Sequence, residues 1–223
     1  DTTVPVPTAT FPIQNGFYSA VQVSTPFAGS SSDPGTNAVG VSTITIALRD
    51  VDTNNYFGGS SFDSAVIVYF GAQGSTSSWS YNHSALSFTN DHRYDLTVKA
   101  TDLAANTSTI TVRFVYDTSR PTSTVTSPAA GYNISWSAIS GTAVDTTGGP
   151  ANPAGISTSA IQIAVKQTDN NWWNGTNFTS LNPVYTYFDV TNTTTVAPNT
   201  WTTTLDGTFL AALASGKSYL IIP

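Results

Sequence analysis

The feature that most constrains this chain is an internal repeat. The opening stretch "DTTVPVPTATFPIQNGF" returns at Asp117 as "DTSRPTSTVTSPAAGYN", with the same order of Asp-Thr, Pro, Thr, Pro and Gly-aromatic. The same spacing recurs deeper in the chain, where "NNYF" from Asn54 falls on "NNWW" from Asn170. Self-similarity at a fixed offset indicates one structural unit used more than once. The repeat therefore predicts two homologous domains, at residues 1–116 and 117–223.

Each copy carries the alternation of polar and apolar residues that is typical of half-buried strands. Thr43–Leu48, Asp95–Ala100 and Thr109–Tyr116 alternate in the first copy, and Ile161–Val165 alternates in the second. This period of two predicts antiparallel β-structure. Only Phe209–Ala214 is expected to form a helical turn. About seven short strands per copy predict two antiparallel β-sandwiches in tandem, an all-β fold.

The composition agrees with this fold class. All 13 acidic residues are Asp, and the chain contains no Glu, Cys or Met, so several strong helix formers are missing. Thr, Val, Ile and Tyr, which favour strands, are abundant.

Several ordered motifs resemble a known family. "ISGTAVD" (Ile139–Asp145) is followed by "GIS", and the pair "YFGGSSF" and "WWNGTNF" supplies an aromatic-Gly element. The first copy also matches a pattern of spaced residues, namely Trp79, Leu86, Tyr94, Leu96, Val98, Ala100, Thr101, Asp102, Ala104 and Asn106. Together these motifs resemble tandem bacterial or archaeal Ig-like domain repeats of surface proteins and adhesins. The resemblance implies Ig-like sandwiches, an extracellular or cell-surface location, and a structural or adhesive role.

The second copy departs from the first near its end. The first copy continues from Tyr94 to Tyr116, whereas only four residues follow Tyr219. This difference predicts that the second sandwich lacks its last strand. We expect either a segment of a longer array or a gap filled by a neighbouring chain through donor-strand complementation. An unfilled edge would be a liability.

Charge excludes some partners. The net charge is −6 with seven Lys and Arg residues, which disfavours nucleic acid and anionic membranes. No apolar run is long enough to span a bilayer. The expected partners are neighbouring Ig-like domains, identical subunits or surface glycans.

Catalytic chemistry finds little support in the sequence. The two histidines, His83 and His92, have no carboxylate at a readable spacing, and Asp91 beside His92 should point to the opposite side of a strand. We therefore predict that the chain is not an enzyme and needs no organic cofactor.

Calcium is the one metal that the sequence suggests. Asp50, Asp52 and Asn54 stand at alternate positions in "RDVDTNN", as in the first part of a calcium loop. The alternative is a solvated Asp/Asn turn. A junction site using Asp102 and Asp117 is a further option.

The aromatic pairs suggest a glycan platform, in which Trp172, Trp173 and Tyr56 stack on sugar rings. Neighbouring strand residues point to opposite faces, so we expect Trp173 and Phe57 to be buried and Trp172 and Tyr56 to be more exposed. Candidate N-glycosylation sites follow the Asn-x-Ser/Thr pattern. They are Asn82, Asn106, Asn133, Asn174, Asn177 and Asn192.

Two further aromatic pairs have expected structural roles. Tyr94 and Tyr219 resemble the tyrosine corner of Ig-like sandwiches, and Trp79 and Trp201 are predicted to face the cores. The leading hypothesis is a non-enzymatic extracellular structural or adhesive module of a surface fibre, S-layer or adhesin stalk. The alternatives are a glycan-binding module and a filament subunit assembled by donated strands.

Overall fold

A computed structural model describes residues 1–75, 77–84, 86–131, 135–145, 153–157, 161–185, 188, 190–192 and 198–223. The chain forms two compact units. Unit 1 holds Asp1–Ser119 and Thr147–Ala154, and unit 2 holds Arg120–Thr146 and Gly155–Pro223. The main division follows Ser119. Both units are all-β sandwiches, as predicted.

The described part of unit 1 contains twelve strands and one short helix. In chain order these are β1 (Val6–Pro7), β2 (Gly16–Tyr18), α1 (Ala20–Val23), β3 (Phe27–Gly29), β4 (Ser31–Ser32), β5 (Val41–Asp50), β6 (Asn55–Phe57), β7 (Phe62–Ser64), β8 (Phe70–Gly71), β9 (Gln73–Ser75), β10 (Ser78–Tyr81), β11 (His92–Asp102) and β12 (Thr107–Tyr116).

The main sheet of unit 1 has the order β2-β12-β11-β5-β6-β7, with β8 also pairing with β5. A second sheet, β3-β10-β9, covers one face of it, and β1 pairs with β4. The pairs are antiparallel except β2–β12, which is parallel. The core lies between the sheets, where Phe27 and Trp79 meet Leu48, Leu96 and Phe114.

The long hairpin β11–β12 shows how the sequence sets this arrangement. Leu96 pairs with Val112 and Val98 with Ile110, so one face of the hairpin is apolar. On the other face, Asp95 lies opposite Arg113 and accepts two hydrogen bonds from its guanidinium, at 2.7 and 2.8 Å. The period-two pattern thus places the apolar residues in the core and a cross-strand ion pair outside.

Eight strands and one helix lie in the residues of unit 2 that the structure describes. They are β13 (Pro121–Ser127), β14 (Ala138–Asp145), β15 (Ala164–Gln167), β16 (Trp172–Trp173), β17 (Phe178–Ser180), β18 (Thr191–Asn192), β19 (Asn199–Thr204), α2 (Gly207–Ala212) and β20 (Tyr219–Ile222). Two four-stranded sheets, β13-β14-β19-β18 and β17-β16-β15-β20, enclose a core around Ile139, Trp173, Trp201 and Phe209.

Unit 2 repeats the strand pairing of unit 1. Tyr94 lies opposite Asp50 in the β11–β5 ladder, and Tyr219 lies opposite Gln167 in the β20–β15 ladder. From these anchors, β20 corresponds to β11, and β15, β16 and β17 correspond to β5, β6 and β7. Trp79 and Trp201, each at most 2% exposed, confirm the predicted core positions.

The tyrosine corner is confirmed in both units. The Tyr94 hydroxyl accepts a hydrogen bond from the Thr89 amide, and the Tyr219 hydroxyl accepts one from the Ala214 amide, both at 2.7 Å. In each case the tyrosine bonds backbone five residues upstream and fixes the chain as it enters the strand.

Alkaline pH should destabilise unit 1 through Tyr94. Burial raises the pKa of Tyr94 to about 12, and the charges of Asp50 and Asp52 act in the same direction. The hydrogen bonds with Thr89 lower this pKa but do not outweigh the burial. This pKa lies above the unfolded value of about 10. The contribution of Tyr94 to the free energy of unfolding is therefore fully present below pH 10 and is lost as the pH rises through 12. In Tyr94→Phe, the stability of unit 1 should depend less steeply on pH over this range, as measured by alkaline unfolding followed by circular dichroism. An unchanged slope would contradict this reading.

The helices give one confirmation and one correction. The predicted turn near Phe209 is α2, where Asp206 caps the helix by accepting from the Phe209 amide at 2.7 Å and Phe209 enters the core. Helix α1 was not predicted, because its sequence, AVQV, contains two β-branched residues. Local capping stabilises it, since the Gln22 side chain accepts from the Ser19 amide at 2.8 Å.

Among the described residues, the strand that corresponds to β11 lies at the edge of its sheet in unit 2. In unit 1, β11 lies between β5 and β12. In the described part of unit 2, β20 pairs with β15 alone and stands at the end of its sheet.

Candidate functional site

The aromatic pairs lie on equivalent hairpins in the two units. Tyr56 pairs with Arg49 and Ser64, and Trp172 pairs with Lys166 and Ser180. The pairing shifts register between Tyr56 and Phe57, and again between Trp172 and Trp173. In each hairpin the extra residue lies on the partner strand opposite the aromatic pair, Asp63 on β7 and Thr179 on β17.

The residues around the aromatic pairs form the turns of these hairpins. Asn54 and Asn170 adopt left-handed backbone with φ of 65° and 73°, a conformation that Asn tolerates better than most residues. Gly59 and Gly175 follow the pairs with φ of 115° and 96°, where a side chain would be strained. The repeated "NN-aromatic-aromatic-x-Gly" pattern is thus a double-turn element of the fold.

The burial of the pairs is partly as expected. Phe57 and Trp173 are buried, as predicted, at 3% and 2% exposed. Tyr56 is half-buried. Trp172 was expected outside but is only 7% exposed. The extra residue at this register shift is Thr179 on β17, so Trp172 and Trp173 still point to opposite faces. Trp172 is buried outside the core cluster, where Lys166 lies over its ring.

A cation covers the first aromatic ring of each pair. The Arg49 guanidinium lies 5.8 Å from the centre of the Tyr56 ring, and Lys166 Nζ lies 5.4 Å from that of Trp172. These cation–π contacts and the burial of Trp172 leave little ring surface for a sugar. The geometry therefore gives the glycan-platform hypothesis no support, and binding by these residues stays a prediction.

The suggested calcium loop is occupied by protein partners. Asp50 pairs with His92 at 2.7 Å and also accepts from the amides of Asp52 and Thr53. Asp52 forms an ion pair with Arg93 at 2.6 Å. The Asn54 side chain accepts from Arg49. These residues already neutralise and bond one another, which fits the alternative of a structural Asp/Asn turn better than a calcium loop.

A second acidic group lies elsewhere in unit 1. Asp1, Asp33 and Asp102 bring carboxylate oxygens within 4.8 Å of one another. Asp33 accepts from the Gly40 amide at 2.8 Å through one oxygen, and its other oxygen is buried without a hydrogen-bond partner in the described part of the chain. The sequence pointed to Asp102 but not to its neighbours, because the group joins the first residue, the loop after β4 and the end of β11, which are far apart along the chain.

Both histidines are buried and bonded within the protein. His83, 5% exposed, bonds the Thr25 carbonyl at 2.7 Å and packs on Phe27 with ring centres 4.3 Å apart. His92, 7% exposed, bonds Asp50 rather than its neighbour Asp91. The sequence did not indicate the Asp50–His92 pair, because the two residues are 42 positions apart in the chain and meet only when their strands pair.

The candidate glycosylation sites differ in access. Asn82 and Asn177 are exposed. Asn106 and Asn174 already donate hydrogen bonds through the side-chain nitrogen that would carry a sugar, to Asp102 and to Thr179. Asn133 and the side chain of Asn192 lie outside the described residues. Asn177 and Asn82 are therefore the positions most open to modification, which remains a prediction.

Comparisons with known proteins add little to this picture. The sequence matches no protein-family model and no curated protein. A solved structure described as an engineered protein, target OR128 of the Northeast Structural Genomics Consortium, is 18% identical, covers 52% of this chain and 21% of its own, and has a TM-score of 0.31. A solved structure described as PcdhgB3 EC1-4 is 12% identical, covers 93% of this chain and 42% of its own, and has a TM-score of 0.25. The chain thus spans well under half of either structure, and likeness at this level carries no functional argument.

Among the described residues, no helix has the length and apolar character needed to cross a membrane.

Proposed function

We propose that this chain is a non-enzymatic, extracellular structural or adhesive module, built from two copies of one Ig-like sandwich. The observation that carries the proposal is that the residues resembling a binding site serve the fold in both copies. The rings of Tyr56 and Trp172 lie under cations in equivalent hairpins. In the Asp50 loop, Asp50 bonds His92 and Asp52 forms an ion pair with Arg93.

The surface composition supports an extracellular location. Charged residues make up 9% of the chain, while Ser, Thr and Asn are abundant. Typical soluble domains carry about 25% charged residues. A sparsely charged surface permits lateral packing of neighbouring modules without strong charge repulsion.

Surface labelling of intact cells of the source organism tests the proposal. Antibodies raised against the purified chain should label the cell exterior or a fibre extending from it, and mild protease treatment should release the epitope. Loss of the chain should remove or shorten that structure. Labelling confined to the cell interior would overturn the proposal.

Calcium binding is a separate hypothesis within this function, and it is tied to Asp1, Asp33 and Asp102. Their clustered oxygens and the orphaned Asp33 oxygen suit a hard cation. Millimolar calcium should raise the melting temperature of unit 1, and Asp33→Asn should abolish that rise. Asp169→Asn, on an exposed loop of unit 2, is the matched control. If calcium leaves the melting temperature of the unaltered chain unchanged, the hypothesis is wrong.

A further inference from the structure

We propose that β20 is an acceptor edge, which binds an extended segment as an antiparallel strand and so completes the sandwich of unit 2. The occupant is a strand with the chemistry of β12, carrying apolar residues at alternate positions. This inference deepens the proposed function and rests on it, because it assumes that such modules are joined in series. Its test uses purified chain, so its failure would leave the proposed surface role standing.

The backbone of β20 is arranged to accept a strand. The Thr168 amide donates to the Ser218 carbonyl at 3.0 Å, which marks that pair as hydrogen-bonded. Bonded and non-bonded pairs alternate along an antiparallel ladder. The amides and carbonyls of Tyr219 and Ile221 therefore point away from β15, toward the side where the described residues supply no partner strand.

Unit 1 shows what occupies the equivalent edge. There β12 pairs with β11 over ten residues, with Phe114 opposite Tyr94 and Val112 opposite Leu96. The positions that correspond to Tyr94 and Leu96 are Tyr219 and Ile221, and both are only half-buried. Each of their counterparts in unit 1 is 0% exposed. The difference in burial is the apolar surface that a strand would cover.

A cleft of about 330 Å³ continues this edge between the two sheets of unit 2. Its lining includes Pro121, Ala143, Ile161 and Pro223. Pro223 corresponds to Val98, which pairs with Ile110 of β12, and Pro121 corresponds to Pro5.

In unit 1 the matching space is filled by the first half of β12. The Ser108 hydroxyl donates to the Pro5 carbonyl, and β1 packs against β12. Among the described residues of unit 2, the edge of β20 and the cleft are thus two parts of the strand position that β12 occupies in unit 1.

One residue predicts how the accepted strand differs from β12. Arg113 of β12 faces Asp95, but the position of Asp95 in unit 2 is held by Leu220, which is 55% exposed. An arginine opposite Leu220 would lack its carboxylate partner. The accepted strand should therefore carry an apolar residue there, so that it is apolar on both faces at this point.

Synthetic peptides test the acceptor edge on the 223-residue chain. The first has the sequence of Thr107–Tyr116 with leucine in place of Arg113, and the second keeps the arginine. The third replaces Ile110, Val112 and Phe114 of the first with asparagine. Hydrogen exchange read by mass spectrometry should show the amides of Tyr219 and Ile221 slowed about tenfold or more by the first peptide. The second should act more weakly and the third not at all.

A charge exchange at the edge distinguishes specific pairing from apolar adhesion. In Leu220→Asp, the arginine peptide should bind better than the leucine peptide, because the Asp95–Arg113 pairing of unit 1 is recreated. Leu181 of unit 2 is 82% exposed. Leu181→Asp should therefore leave the leucine peptide binding more tightly than the arginine peptide, as in the unaltered chain.

The result that would overturn the proposal is unchanged exchange of Tyr219 and Ile221 with every peptide. Equal effects of all three peptides would also overturn it, because the protection would then lack the β12 pattern. If the chain alone already protects these amides in proportion to its dimerisation in analytical ultracentrifugation, a second copy occupies the edge, and the proposed occupant is wrong.

Discussion

Replacing Trp173 by alanine is expected to lower the free energy of unfolding of unit 2 by about 3–5 kcal/mol. Trp173 is 2% exposed and its ring packs against Phe178 and Phe209, with ring centres 5.3 and 5.1 Å apart. Truncation removes this packing and leaves a cavity at the centre of the core. Denaturant unfolding followed by hydrogen exchange, which reports the two units separately, measures the loss.

Trp172→Ala is the matched control, because Trp172 adjoins Trp173 but lies outside the core cluster. We expect a clearly smaller loss of stability. A glycan array run on this variant and on the unaltered chain examines the sugar hypothesis at the same time. Binding that disappears in folded Trp172→Ala would favour a glycan module. Equal losses of stability in both variants would contradict the assigned roles.

The second large effect is expected from Gly141→Ala. A Cβ at Gly141 would overlap the Thr124 carbonyl and the indole of Trp201. Neither neighbour can move freely, since Thr124 lies on β13 and Trp201 fills the core. We expect a loss of stability of about 3 kcal/mol, at the upper end of the range for overpacking, measured by thermal and chemical denaturation.

The equivalent position in unit 1 gives an independent repetition. A Cβ at Gly29 would overlap the Thr8 carbonyl and the indole of Trp79, so Gly29→Ala should destabilise unit 1 to a similar degree. Gly207→Ala in unit 2 and Gly71→Ala in unit 1 are controls, because nothing lies within 4 Å of an added Cβ at either glycine. Tolerance of alanine at both Gly29 and Gly141 would contradict the packing described for the two units.

Much of this fold could be predicted, because the repeat allowed each copy to be read against the other. Alternation placed Leu96 and Val98 in the core, and the position of Tyr94 before that strand indicated the tyrosine corner. These features depend on local periodicity, which a sequence displays directly.

The features that were missed depend on non-local geometry. Trp172 is buried outside the core cluster, where Lys166 of the neighbouring strand lies over its ring, and this contact forms only when the two strands pair. The Asp50–His92 pair and the meeting of Asp33 with Asp102 follow from how distant strands and loops adjoin. The candidate sites were therefore predicted less well than the fold.

The most direct test of the central claim, that unit 2 is a structural module completed by an added strand, is electron cryo-microscopy of the native assembled protein. We expect sandwiches in series, with an antiparallel strand beside β20 and an apolar side chain of that strand against Leu220. Assembled material in which Tyr219 and Ile221 face solvent along a bare edge would contradict the claim.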